Sequence, residues 1–380
     1  MAVKKNKVKL DLASYPHYVI MGQRKIGKTT FFYELVKLIT GSSDGGILIS
    51  LGEECGFNHL EDLMFEEATI WSKEPEEDDD TRGFIQIVND LVENRNTEWK
   101  DIKLIGLDTL DELFGIGTKQ VFKEHLLAKG ERCKSLNDAL GGYGKGKERL
   151  LALVNEQIAR LNRAGYAVFI LAHTKNKLKE DAVTDKKYEI ITNNLTDDLY
   201  GGVADKAQMI VNIVYDREIK ENKNSDGKVV SGTILDSKRM MYFRDDNGLI
   251  DAGGRFKGLP EKLELSAENF MLAFEMGVNA SKGVTLNEKQ KEEIVKQEQK
   301  ALEEQRIKMV QKEETSDSET KDNLVLDIKD LMKTKLTGGN KEEDGKSIKD
   351  KMSEYGLSVK ELGNSTLSTL KKFYTFLKNL

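Results

Sequence analysis

The sequence predicts an α/β fold with a mostly parallel central sheet over residues 1–278, a charged helix and flexible linker over 283–322, and a small C-terminal helical module over 323–380. Three observations predict it. Short apolar runs alternate with helix-spaced patterns through the first part, the order that builds parallel sheets. A glycine-rich segment, Gly22-Gln23-Arg24-Lys25-Ile26-Gly27-Lys28-Thr29-Thr30, lies between a strand-like and a helix-like run. After residue 282, Glu, Lys and Gln dominate and apolar positions thin out.

The elements follow in order. His17-Tyr18-Val19-Ile20-Met21 is an apolar run suited to a buried strand, and the glycine-rich segment begins straight after it. Phe31, Phe32, Leu35, Val36, Leu38 and Ile39 then recur at helical spacing, with Gly41 as a C-terminal stop. Further strand candidates are 47–51, 102–107, 166–172 and 208–215. A helix over 147–164 carries Leu150, Leu151, Val154, Ile158 and Leu161 on one face and stops at Gly165. The acidic stretch Glu74–Asp80 reads as a solvated loop, and Asp226-Gly227 and Asn247-Gly248 as hairpin turns. Residues 285–313 read as an exposed helix and 314–322 as a linker. In the tail, Leu324, Leu326, Ile328, Leu331 and Met332 define one amphipathic helix. Leu367, Leu370, Phe373, Tyr374 and Leu377 define another, with Ser365 as its N-cap.

Composition bounds the function classes. Of 380 residues 38 % are hydrophobic and 33 % charged, so part of the chain is expected to be solvated rather than packed. A net charge of −6 excludes a uniformly basic nucleic-acid coat and confines any such contact to a local patch. Two cysteines, Cys55 and Cys133, make no disulfide framework, which suits a reducing cytosol. No signal peptide or membrane span is expected.

The segment Gly22–Thr30 fits G-x-x-x-x-G-K-[ST], and each residue has a physical task. The glycines let successive backbone N–H groups point at phosphate oxygens. Lys28 reaches the β/γ-phosphates of a nucleoside triphosphate such as ATP, and the Thr29 hydroxyl completes a Mg²⁺ shell. Asp108 ends the run 102–107, so its carboxylate is expected at the carboxyl edge of the sheet beside that loop, holding Mg²⁺ through water. Thr109, not a glutamate, follows it. The water-activating base is therefore sought at the end of the strand after the glycine-rich loop's helix, at Glu53 or Glu54. Glu54 is the better candidate, because Cys55-Gly56 allows a sharp turn; Asp111 and Glu112 stand in reserve. His173 ends the strand 166–172, within reach of the γ-phosphate, and is placed to report hydrolysis to the segment that follows.

Gly22–Thr30, Leu51-Gly52-Glu53-Glu54-Cys55-Gly56, Leu107-Asp108-Thr109 and Ile170–Lys175 occur in the order seen in RecA-like ATPases. With Arg255-Phe256-Lys257-Gly258-Leu259-Pro260, the chain most resembles phage-encoded RecA/RadA-like P-loop ATPases associated with single-strand annealing and recombination, over roughly residues 15–275. The resemblance implies a RecA-like core, self-association into a ring or filament, and a nucleotide shared between neighbouring subunits. It implies a cytoplasmic protein, in the host cell if phage-encoded. It also implies a cation reaching the neighbour's γ-phosphate from a K-x-R-x-G element. Here that element is Gly253-Gly254-Arg255-Phe256-Lys257, so Arg255 matches and the first lysine is absent. Single-stranded DNA is then expected on two segments. One is Gly141–Lys147, with Tyr143, Lys145 and Lys147. The other is the lysine-rich loop Lys175–Lys187, with Lys175 and Lys177 nearest His173. Lys4, Lys5, Lys7 and Lys9 add nonspecific phosphate contacts. The C-terminal helices are expected to engage a replication or recombination partner. Two other functions share these residues: a ring helicase or motor, separable by duplex unwinding, and a nucleotide-switched loader with negligible turnover.

Overall fold

The computed structural model describes residues 7–54, 56–73, 82–181, 184–223, 229–283, 323–337, 341–359 and 362–380. Cys55, Glu74–Asp80, Asp226-Gly227 and the segments 285–313 and 314–322 lie outside the described residues. The chain divides into two compact units, Met1–Leu286 and Asn287–Leu380.

In the first unit the described residues form one ten-stranded sheet. Its strands are β1 (His17–Gly22), β2 (Gly46–Leu51), β3 (Met64–Ala68), β4 (Leu104–Asp108), β5 (Ala167–Glu180), β6 (Lys187–Asn193), β7 (Met209–Lys223), β8 (Val229–Tyr242), β9 (Gly253–Gly254) and β10 (Lys262–Glu264). The order is β10-β8-β7-β1-β5-β4-β2-β3, with β6 on β5 and β9 on β7. The stretch from β7 to β3 is parallel, while β8 and β10 pair antiparallel at one edge. The five strands foreseen from apolar runs are β1, β2, β4, β5 and β7. The foreseen stretch of each is covered on both faces, which is why it is apolar, whereas β5 and β7 continue beyond it into exposed, charged segments.

Side chains of β1 alternate between the two layers. Val19 and Met21 join the cluster formed with α2 (Phe84–Glu93), α3 (Leu110–Lys129), α4 (Lys145–Arg163) and α5 (Asp197–Ala204). Tyr18 and Ile20 join the other, beneath α1 (Lys28–Thr40) and α6 (Ala267–Ser281). Aromatic rings centre the second layer: Tyr18 stacks on Phe169 at 4.8 Å, and Phe270 meets Phe31 and Phe169 edge-on. α1 ends where expected, with Gly41 left-handed at φ 78° and its N–H donating to the Lys37 carbonyl.

Five expectations change. Lys175–Lys187 is no simple loop: β5 runs on to Glu180 and pairs antiparallel with β6, from Thr174 opposite Asn193 to Glu180 opposite Lys187. Of Gly141–Lys147 only the first part is loop, because α4 already starts at Lys145. Asn247-Gly248 lies in a bend with Gly248 at φ 70°, and the strands flanking it, β8 and β9, pair with β7 rather than with each other. In the second unit the N-cap of α9 (Leu367–Asn379) is Thr366, not Ser365; the Thr366 hydroxyl accepts from the Thr369 N–H. That unit also holds α7 (residues 323–337) and α8 (Lys341–Glu354), packed around Ile328, Ile348, Leu370 and Phe373. In α7 Val325 faces inward with Ile328 and Met332, whereas Leu326 faces solvent.

Candidate functional site

The parallel register assembles the site. Gly22 at the end of β1 stands opposite His173 on β5 and Ile213 on β7; Asp108 ends β4 opposite Leu171 and Ser50. All these termini lie on the carboxyl edge of the sheet, where open α/β sheets hold their ligands. Gly22 is required there, since a Cβ would stand 2.8 Å from Ile26 Cγ2 and 3.1 Å from the Ile213 carbonyl. Gly27 caps α1 in the left-handed region at φ 108°, a conformation that favours glycine. The amino end of α1 thereby faces the loop with its unpaired N–H groups and positive dipole end, an arrangement that attracts anions.

Lys28 is buried, 6 % exposed, and its Nζ donates to the carbonyls of Gly22 at 3.0 Å and Gln23 at 3.1 Å. Burial lowers its pKa to about 8, while Asp108, Glu54 and Asp111 pull in the opposite direction. All three carboxylates therefore act on one ammonium. The Thr29 hydroxyl donates to Asp108 Oδ2 at 2.9 Å. Asp108 is 4 % exposed, and burial raises its pKa against the hydrogen bond from Thr29 and the charge of Lys28.

These residues fit a divalent cation with oxygen ligands. A hydroxyl and a buried carboxylate already meet, which is the pair expected around Mg²⁺ in such loops. The chain also leaves space: a Cβ on Gly56 would stand 3.0 Å from Thr29 Oγ1 and 3.7 Å from Asp108 Oδ2. Nearby, Asp111 Oδ1 is buried without a hydrogen-bond partner.

Glu54 sits in the turn after β2, half-buried; its carbonyl accepts from Ser50 Oγ at 2.6 Å. Its charge acts on both Lys28 and Asp108. Asp111, held in reserve as a base, has a defined partner: its Oδ2 accepts the His173 backbone N–H at 3.1 Å, and the ring Nδ1 stands 3.5 Å away. Burial pushes the Asp111 carboxyl up, and the His173 contacts more than reverse it, leaving it below the usual carboxylate range. Glu112 instead lies against Gly52, where a Cβ would stand 2.3 Å from its Oε2.

Arg255 is not gathered into this group. It is exposed, at the opposite edge of the sheet, where its side chain donates to the Asp205 carbonyl and its N–H to the Gln208 carbonyl. A different arginine reaches the loop within the same chain. Arg239 of β8 donates to the Ile26 carbonyl at 3.2 Å, and its Nη1 lies 2.8 Å from where a Gly27 Cβ would be. Only the strand pairing β8-β7-β1 brings it there, and no local motif marks it.

The five residues expected on DNA divide. Tyr143 is 99 % exposed, and Lys145 and Lys175 are exposed as well. Lys147 pairs with Asp198, and Lys177 with Asp197 at 2.8 Å.

Among the described residues no helix is long and apolar enough to cross a membrane. No curated protein matches the chain. A family model described as an AAA domain matches residues 14–256, more than half of the chain, and spans the glycine-rich loop, Glu54, Asp108 and His173. The chain thus belongs to the AAA-domain family and is a P-loop, nucleotide-binding ATPase of the AAA type.

Proposed function

We propose that this ATPase hydrolyses ATP with Mg²⁺ while bound to single-stranded DNA, and that it promotes annealing or strand exchange as a self-associating, phage-type RecA/RadA-like protein of the cytoplasm. The convergence of Lys28, Thr29, Asp108 and Glu54 at one sheet edge carries the reading.

In this reading the main-chain amides of Gly22–Thr30 hold the phosphates. Lys28 exchanges the Gly22 and Gln23 carbonyls for β/γ-phosphate oxygens, where its charge is worth more because the site is buried. Glu54 orients the attacking water and takes its proton, so that ADP and inorganic phosphate form. Thr29 and Asp108 would hold Mg²⁺, which would supply positive charge against the phosphate oxygens. Asp111 fixes His173, which senses the γ-phosphate and passes its loss into the β5–β6 ribbon carrying Lys175 and Lys177. Tyr143, Lys145 and Lys147 supply stacking and charge on the second segment. Arg255, remote from its own loop, serves a neighbouring subunit's γ-phosphate. The C-terminal unit serves a replication or recombination partner.

ATP turnover measured with and without an oligothymidylate, alongside sizing under the same conditions, tests the proposal. Stimulation together with assembly is expected; the absence of both effects would overturn it. For the shared site, Arg255→Ala mixed with Lys28→Ala should regain part of the turnover that each lacks alone. No regain at any ratio removes the trans role.

A further inference from the structure

The first turn of α5 carries Asp197 and Asp198, and lysines from two separate elements converge on it. Lys177 Nζ reaches Asp197 Oδ1 at 2.8 Å, Lys179 Nζ reaches Asp197 Oδ2 at 3.0 Å, and Lys147 Nζ pairs with Asp198 Oδ2. Hydrogen bonds from these lysines hold both carboxyls below the usual range, Asp198 at about 2. Three cations on two anions leave a surplus of positive charge. α5 is itself anchored: Tyr200 and Val203 are buried, and Asn155 of α4 donates to the Gly202 carbonyl at 3.1 Å.

The lysines of β5 have a further property. In a strand alternate residues share a face, so His173, Lys175, Lys177 and Lys179 form one row. The row starts at the residue held by Asp111 and ends at Asp197. Tyr143, fully exposed, lies four residues before Lys147.

We infer that Asp197 and Asp198 occupy the places of two backbone phosphates on a single-stranded nucleic-acid surface formed by the start of α4 and the β5 arm. They hold the lysines in register until the strand displaces them. This deepens the DNA-binding reading and rests on it. Displacement acts on the open partner of each pair: the Asp197 and Asp198 side chains are 63 % and 48 % exposed, whereas Lys177, at 16 %, stays positioned by its further bond to the Leu195 carbonyl. The phosphates of a strand bring the same charge together with counterion release, which the internal carboxylates lack.

Fluorescence anisotropy of a labelled oligothymidylate against the full chain, titrated over a range of salt, tests this. Asp197→Asn/Asp198→Asn should tighten binding roughly fivefold or more at low salt. The salt dependence of log K should steepen by about 1.4, from about 0.7 for each of the two phosphate places no longer held by a carboxylate. Lys147→Ala/Lys177→Ala should weaken binding and flatten the slope, which a mere loss of fold would not do in step with an unchanged melting curve. If the parent binds and the Asn pair leaves affinity and slope unchanged, or weakens binding while still folded, the inference fails and the DNA reading stands. If neither the parent nor the Asn pair binds the oligonucleotide at any salt, both fail.

Discussion

Raising pH should weaken nucleotide binding through Lys28 alone. Burial lowers the Lys28 pKa to about 8 in the free protein, from an ordinary 10.5. That displacement corresponds to about 3 kcal/mol held against the charged form. The folded value lies below the unfolded one. The cost is therefore fully present below pH 8, and stability rises as pH climbs from the folded toward the unfolded pKa. A bound triphosphate keeps the ammonium charged, so nucleotide must draw a proton onto Lys28 wherever it has already been lost. With a pKa near 8, about nine-tenths of the protein carries that proton at pH 7 and about one-tenth at pH 9. Affinity should accordingly fall about tenfold between those values, with nearly one proton taken up per nucleotide at pH 9. Calorimetric titration in two buffers of different ionisation enthalpy measures both quantities. Lys28→Arg, whose guanidinium stays charged, should bind more weakly but lose the pH dependence. A flat affinity from pH 7 to 9 with no proton uptake would refute the electrostatic account of this lysine.

Glu54→Gln should retain nucleotide binding while turnover falls by about 100-fold or more, the usual scale for losing a general base; if Asp111→Asn does this and Glu54→Gln does not, the base is Asp111. Gly56→Val should weaken Mg²⁺-dependent nucleotide binding, because its side chain starts 3.0 Å from Thr29 Oγ1; equal Mg²⁺ titrations for variant and parent would show that this space is not used. Arg239→Ala removes the brace on the Ile26 carbonyl and should raise KM for ATP several-fold, with Arg239→Lys recovering part of it; an unchanged KM would count against that contact. Phe270→Ala should cost about 3–5 kcal/mol in a denaturant titration, since the ring is fully buried among other aromatics.

Much of the sheet was legible because its parallel strands are covered on both faces and so read as apolar runs. β3 was not: it is an edge strand whose Met64-Phe65-Glu66-Glu67-Ala68 alternates in burial, and Phe65 remains largely exposed. The extension of β5 carried the same difficulty further. The ribbon is covered through ion pairs of Lys177 and Lys179 with Asp197 rather than through apolar side chains, so Lys175, Lys177 and Lys179 read as loop although their spacing was that of a strand. In the site, the loop residues announce themselves through local spacing, Asp108 through its position at a strand end, and His173 through the end of an apolar run, although β5 itself continues past it to Glu180. The bond between Asp111 and His173 crosses two strands, and the reach of Arg239 to Ile26 spans 213 positions of sequence. Contacts of that kind depend on strand order, which composition and periodicity do not encode.

β5 leaves the parallel sheet at His173 without a break and continues as one strand to Glu180. A continuous strand is stiff along its length, and at about 3.3 Å per residue the six residues from His173 to Lys179 span about 20 Å. A tilt of about 5° pivoting at the nucleotide rim would swing the far ammonium by nearly 2 Å, by the same strand geometry. On the proposed role of His173, the arm is a lever with its fulcrum at the nucleotide rim. Small changes there would emerge at the outer end as displacements large enough to make or break an ion pair.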